Sequence, residues 1–308
     1  MDAPAIQTEG LTRDFGPVRA VSDLDLRVEQ GEIFGFLGPN GAGKTTTIRV
    51  LIDLIRPTAG RASVLGFDCQ RQSLKVRQHT GYLPGDLHLY EGLTGGGLLK
   101  FFASMRPGQV DPATLRTLLE RLDLDPSREV REYSKGNRQK LGLVQALMHR
   151  PDVLILDEPT AGLDPLVQHE LWNMLEEIAS EGRTVFFSSH VLSNVERICQ
   201  RVGIIRAGRL VAVEDVARLK KRSLHTIEVT FAEPVPEDAF AVVPGVDIVR
   251  HQNNTLRLQV RDRLDDVIKT IARYPVLDLR TEQASLEDIF LAYYTDEAKD
   301  EEVERVTA

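Results

Sequence analysis

The stretch GPNGAGKTT, Gly38-Pro39-Asn40-Gly41-Ala42-Gly43-Lys44-Thr45-Thr46, decides how the rest of the sequence is read. Its first eight residues fit G-x-x-x-x-G-K-[ST], a loop that wraps its backbone around a chain of phosphates. Glycines at 38, 41 and 43 allow backbone conformations closed to other residues and bring successive N–H groups close to a polyphosphate. Lys44 supplies a compact positive charge at the β and γ phosphates and Thr45 offers a hydroxyl to Mg2+. The helix that begins there turns the positive end of its dipole toward the anion.

The flanks agree. Glu32 to Leu37 (EIFGFL) reads as a short buried strand, and Ile48, Leu51, Ile52 and Ile55 fall on one face of a helix. Strand, glycine loop, helix is the order this loop requires. Before it, Leu24, Leu26 and Val28 alternate with Asp23, Asp25 and Arg27, so an antiparallel layer precedes the loop strand. Phe15 stands in a turn-like stretch ahead of that layer and is either core or a platform on which a base stacks.

After the loop helix, Arg56 to Gly60 breaks the chain and Arg61 to Leu65 returns as a strand. Gly81 to Leu93 begins as a short strand and runs into a loop. Thr94 to Leu124 is helical, with Asp111 and Pro112 as N-cap and first helical residue and Leu115, Leu118, Leu119 and Leu122 as one apolar stripe. Ser134 caps a further helix through His149. Val153 to Asp157 (VLILD) is a continuous apolar run of buried-strand type, and it ends in Asp157 and Glu158. An acidic pair at the carboxyl end of a central strand lies where open α/β sheets bind ligands. Asp157 is suited to hold Mg2+ and Glu158 to orient water. A helix through Leu171, Met174, Leu175 and Ile178 comes next, then the strand Thr184 to Ser188, which places His190 to contact a γ-phosphate. Alternation of strands and helices through residue 206 predicts a mainly parallel sheet, closed by a hairpin over Ile204 to Val213.

A different unit begins near Ser223. Strand, helix, strand, strand, helix, strand is its predicted order, the ferredoxin-like split motif of an α+β domain. Ser285 caps a last helix, SLEDIFLAYY, with a charged tail beyond it from Asp296. The predicted organisation is therefore a nucleotide-binding domain over 1–222 with a helical subdomain at about 86–150, an accessory domain over 223–295, and a tail over 296–308.

Bulk properties narrow the function. The chain has 308 residues and a net charge of −8, which argues against a surface for duplex nucleic acid. No apolar run approaches the ~18 residues needed to cross a bilayer, and the opening MDAPAIQTEG has no signal-peptide pattern. Cys69 and Cys199 show no metal or disulfide spacing.

Taken in order, these motifs resemble the ATP-binding cassette of ABC transporters, a P-loop NTPase fold, over residues 4 to 220. GPNGAGKT resembles its Walker A motif, and LILDEP (Leu154–Pro159) its Walker B motif with Glu158 as the catalytic glutamate. AGLD, ending at Asp164, resembles the D-loop, and His190 the switch histidine. YSKGN (Tyr133–Asn137) stands where the LSGGQ signature stands and keeps Ser134 and Gly136. The resemblance makes Phe15 the aromatic residue that stacks on adenine. It implies that Phe15, the run from Gly38 to Thr46, Ser134, Gly136 and Asp164 contact ATP, that Thr45 and Asp157 hold Mg2+, and that Glu158 and His190 are catalytic.

Two departures accompany it. Tyr133, Lys135 and Asn137 differ from the signature, and Gly85 stands after YLP where the family usually has glutamine. Either Asp86 substitutes for that side chain or coupling runs through the backbone. The resemblance further implies a homodimer or heterodimer closing head to tail, each signature capping the other's ATP. Closure would drive a separate membrane permease through the insertion near residues 86–105, with the chain cytoplasmic and peripheral on the inner face of the membrane. A single cassette joined to a small domain ending SLEDIF is similar to ATPase subunits of bacterial drug, antibiotic or polysaccharide exporters. The alternatives are a cassette ATPase acting on nucleic acid or ribosomes, which the acidic balance disfavours, and a phosphotransferase, which YSKGN and His190 disfavour.

Overall fold

The computed structural model describes residues 3–222 and, beyond them, 225–236, 238–241, 243, 246–260 and 264–283. Two units divide the chain, Met1–Asp215 and Val216–Ala308.

In the first unit, β1 (Ile6–Phe15) and β2 (Val18–Val28) pair antiparallel. Leu24, Leu26 and Val28 of β2 point inward and the residues between them outward, as their alternation predicts. Phe15 is the last residue of β1 rather than part of a loop. The strand β3 (Ile33–Leu37) runs into the glycine loop and α1 (Lys44–Leu51). The chain then returns through β4 (Ala59–Val64) and β5 (Phe67–Asp68) to complete an antiparallel sheet in the order β2-β1-β4-β5, the expected N-terminal layer.

Next come α2 (Ser73–His79), β6 (Thr80–Leu83), and the helical insertion of α3 (Gly95–Ser104), α4 (Pro112–Arg121) and α5 (Lys135–Leu147). The predicted run Thr94–Leu124 is two helices, because Pro107-Gly108 interrupts it and each part has its own cap. Thr94 Oγ accepts from the Gly97 N–H, and the Asp111 carboxylate from those of Ala113 and Thr114.

The remaining elements of this unit are β7 (Val153–Asp157), α6 (Pro165–Ser180), β8 (Thr184–Ser189), α7 (Leu192–Ile198), β9 (Arg201–Arg206) and β10 (Arg209–Asp215). They complete a six-stranded sheet in the order β10-β9-β3-β8-β7-β6, parallel except for β10. β3, β7 and β8 are buried along their whole length, which is why they read as continuous apolar runs. Phe34 and Phe36 of β3 pack on Phe186 of β8 at ring separations of 5.9 and 5.4 Å. Each such fully buried ring contributes about 1.5–3 kcal/mol of apolar burial, so the centre of the sheet is a rigid base for the loops at its ends.

β8, though later in the chain than β7, lies between β3 and β7. Its register sets Leu37 beside Ser189 and Asp157 beside Ser188. The carboxyl ends of three neighbouring strands therefore finish level, and the loops leaving them share one edge of the sheet.

The second unit begins with α8 (Val216–Arg222) and continues through β11 (His225–Phe231), α9 (Asp238–Ala241), β12 (Val246–Gln252), β13 (Thr255–Val260), α10 (Leu264–Ile271) and β14 (Val276–Gln283). Its strands pair antiparallel in the order β12-β13-β11-β14. Ile227, Val229 and Phe231 on β11 meet Leu256, Leu258, Val260, Val267 and Ile271 in a separate core. The helix expected at Ser285 and the tail from Asp296 lie outside the described residues.

Candidate nucleotide site

The glycine loop closes tightly around its lysine. Gly43, at φ +106°, stands at the N-cap of α1 and offers no side chain to its orphan N–H groups, so these remain for an anion. Lys44 is 5% exposed, and its ammonium donates to the carbonyls of Gly38 at 2.6 Å and Pro39 at 3.1 Å. Burial lowers its pKa, opposed by the charges of Glu158 and Asp157. A buried ammonium that hydrogen-bonds two neutral carbonyls, with the Glu158 carboxylate 3.7 Å away, is only partly compensated, and phosphate oxygens would compensate it better.

Thr45, the next residue, donates its hydroxyl to Asp157 Oδ2 at 2.7 Å. Asp157 is 1% exposed, and its other oxygen accepts from the Ser188 hydroxyl at 2.5 Å. One hydroxyl and one carboxylate, both hard oxygen ligands and already in contact, fit Mg2+, which keeps most of its shell as water and phosphate.

Glu158 has a left-handed backbone, φ +51°, which a residue with a side chain adopts only when its surroundings hold it. Its N–H donates to the Ser188 carbonyl at 3.2 Å and reaches the Ser188 hydroxyl at 3.3 Å. The turned backbone sends its carboxylate between the Lys44 ammonium and the His190 ring. Oε1 is 3.7 Å from the Lys44 ammonium, and Oε2 is 3.0 Å from Nδ1 of His190, which is half exposed. Oε1 is buried with no hydrogen-bond partner, a position suited to accept from a water molecule.

Thus Lys44, Thr45, Asp157, Glu158 and His190 converge on one edge of the sheet. Ser188 was not singled out from the sequence. The available signal was a pair of serines ending an otherwise apolar strand, TVFFSS.

Gly85 comes just after β6 and lies against this cluster. A Cβ built on it would stand 3.1 Å from Asp157 Oδ2, so the backbone itself approaches the carboxylate. Asp86 does not fill the place of a side chain there: its carboxylate is 81% exposed and stands 3.8 Å from His88 Nδ1.

The other predicted contacts are spread over the unit. Phe15 is 45% exposed, with the Arg13 guanidinium 4.5 Å from its ring centre, so one ring is partly open to stacking and partly covered by a cation. Ser134 caps α5, its hydroxyl accepting from the Asn137 N–H at 3.2 Å. Tyr133 departs from the signature for a packing reason: it is buried, its hydroxyl donates to the Asp125 carbonyl at 2.6 Å, and Gly95 leaves room for it. Gly136 touches the loop after Glu158, since a Cβ there would come within 2.8 Å of the Gly162 carbonyl. Asp164 caps α6 by accepting from Leu166 and Val167, and these hydrogen bonds, the one from Val167 foremost, lower its pKa.

A family model described as ABC transporter matches residues 21–161. The chain is 33% identical over 302 residues to an uncharacterized ABC transporter ATP-binding protein, YhcH, of Bacillus subtilis (strain 168), covering 96% of this chain and 97% of that one. It is 37% identical over 239 residues to a probable multidrug ABC transporter ATP-binding protein, YbhF, of Escherichia coli (strain K12). That match covers 76% of this chain and spans only 41% of the length of that relative. Among solved structures it is similar to an ATP-binding subunit of an ABC transporter, with a TM-score of 0.65, 30% identity, and coverage of 70% of this chain and 92% of that one.

Proposed function

Because this chain belongs to the ATP-binding cassette family of ABC transporters, we propose that it hydrolyses ATP between two cassettes and thereby drives a separate membrane permease for export of a drug, antibiotic or polysaccharide. One observation carries the proposal: Glu158, aimed by a left-handed backbone, has one carboxylate oxygen near Lys44 and the other on His190, beside Thr45 and Asp157.

These placements support the following chemistry. The Lys44 ammonium leaves the Gly38 and Pro39 carbonyls for the β and γ phosphates, where charge-assisted hydrogen bonds are stronger. Thr45 and Asp157 are the residues that would hold Mg2+, which when bound neutralises charge on the phosphates. Glu158 accepts a proton from water through Oε1, which has no hydrogen-bond partner within the protein. The water oxygen bonds to the γ-phosphorus as the bond from that phosphorus to the bridging oxygen breaks, and ADP leaves with the electron pair. His190 holds the Glu158 carboxylate in place and reaches toward the γ-phosphate.

The second half of the site would come from the partner cassette, whose Ser134 and helix N-terminus meet the same γ-phosphate. The names of relatives in B. subtilis and E. coli support the subunit role, and the latter's the multidrug substrate class. Tyr90, Phe101 and Met105 are exposed on the insertion, with Tyr90 packed edge-on against Phe101, and this apolar surface suits a permease. Among the described residues no helix is long and apolar enough to cross a membrane. In this reading the permease is a separate partner, and the chain works at the membrane's inner face. The strand order of the second unit supports a ferredoxin-like accessory domain over 223–295, after a cassette over 1–222.

The test is Glu158→Gln. Turnover is expected to fall about 100- to 10,000-fold while ATP still binds and holds a dimer together. A variant with wild-type turnover would refute the assignment of Glu158.

A further inference from the structure

Gln139 lies on α5, one turn beyond the Ser134 cap, and is 6% exposed. Its side-chain amide donates to two consecutive carbonyls, those of Glu158 at 3.3 Å and Pro159 at 3.1 Å. The opposite orientation of the amide would set an oxygen against two oxygens, so these acceptors define which way it points. Glu158 is thereby held on both sides. Ser188 of β8 accepts from its N–H, and Gln139 of α5 donates to its carbonyl.

Both grips act on a residue at φ +51°, a backbone that surroundings must enforce. Gly136 and Gln139, three positions apart and so on one face of α5, rest on the same segment, Gly136 on the Gly162 carbonyl and Gln139 on the two carbonyls at its start. A displacement of the first turn of α5 therefore displaces the peptide that aims the Glu158 carboxylate at His190.

We infer that Gln139 is a positioning residue for hydrolysis: it ties the setting of Glu158 to the position of α5, so that the helix whose N-terminus meets a partner's nucleotide also aligns the carboxylate of its own site. This rests on the reading of Glu158 as the residue that activates water. Gln139 touches no reacting atom in this reading and acts only through the Glu158 backbone.

The experiment is a double-mutant cycle on the full chain, combining Gln139→Leu or Gln139→Glu with Glu158→Gln, read by steady-state and single-turnover ATP hydrolysis. Leucine supplies no donor, and glutamate keeps the shape but presents an acceptor to two acceptors. Each is expected to lower kcat about 10- to 100-fold, the scale of a misplaced catalytic group. Affinity for ATP should stay within about two-fold, as for a group used only during reaction. In the Glu158→Gln background the same substitutions should cost less than about three-fold, because effects that act through one residue do not add. ATP binding and ATP-dependent dimerisation in that background report that the variants fold, and Gln139→Glu serves if Gln139→Leu does not.

Unchanged kcat, or an equal loss in both backgrounds, overturns the inference while leaving Glu158→Gln slow. Wild-type turnover in Glu158→Gln alone overturns the reading of Glu158 and the inference with it, and is a different result.

Discussion

The two helix N-termini that the proposed function sets against phosphate are finished differently. That of α1 has Gly43 at its cap, no side chain satisfying its N–H groups, and a lysine folded in beneath them at 5% exposure. That of α5 is capped by its own Ser134, and the buried lysine of this helix, Lys140, donates to the Asp123 carbonyl instead. The first carries its counter-charge, its Thr45–Asp157 pair and the Glu158 carboxylate within one chain. The second offers a hydroxyl and a dipole and nothing to complete them. Such an asymmetry suits a site made from two copies, the glycine loop of one facing the serine-capped helix of the other.

The largest expected effect comes from emptying the complete half. Lys44→Ala should weaken ATP binding by about 3 kcal/mol, roughly 150-fold, since hydrogen bonds to charged groups contribute about 1.5–3 kcal/mol each. The fold should suffer little, because burial already disfavours this ammonium, and its removal leaves the two carbonyls and the Glu158 carboxylate, which keeps its contact with His190. Equilibrium binding and thermal melts check both. A melting temperature that fell with the affinity would show the loop to be a folding element more than a binding one.

The far end of α5 sharpens the comparison through pH. His149 is 8% exposed, Nε2 stands 3.3 Å from the Thr80 carbonyl, and burial, with the Arg106 charge adding to it, lowers its pKa to about 4. The unfolded chain takes up this proton near pH 6.5 and the folded one only near 4, so the neutral form's stabilisation is present above 6.5 and is lost as pH falls through that window. The full loss is about 3 kcal/mol. Melts between pH 7 and 4.5 should steepen this way in the wild type and be shallower in His149→Gln. Equal slopes would remove His149 from the account.

Ser134→Ala breaks the other half with the smallest expected effect of the three. Loss of an N-cap costs about 1 kcal/mol of stability. ATP binding to a single chain should be untouched, while turnover falls about ten-fold, as the proposed contact of the hydroxyl with a partner's nucleotide requires. Hydrolysis at the wild-type rate would separate α5 from the reaction.

Local chemistry made much of this legible. The glycine loop, the caps at Asp111 and Ser134, and the apolar runs of β3, β7 and β8 depend on neighbours three or four residues away or on simple alternation, and the elements stand where those signals put them. Phe15 was harder to place, because strand end and turn share the same residues. Gly85 was legible as a gap, but only the fold shows that its backbone, and not Asp86, stands against the Asp157 carboxylate. Gln139 carried no signal, since a glutamine on an amphipathic helix reads as a solvated position until its two carbonyl partners, about twenty residues on, are in place.

By itself the sequence determined that phosphate is bound, by which loop, and that an acidic pair ends a buried strand, because glycine freedom, capping and apolar periodicity act over a few residues. Only the tertiary structure decided that β8 inserts between β3 and β7, and with it the contacts of His190 with Glu158 and of Ser188 with Asp157. Those pairings join residues some thirty positions apart through strand order, which depends on which sheet faces can be buried together and on no local preference.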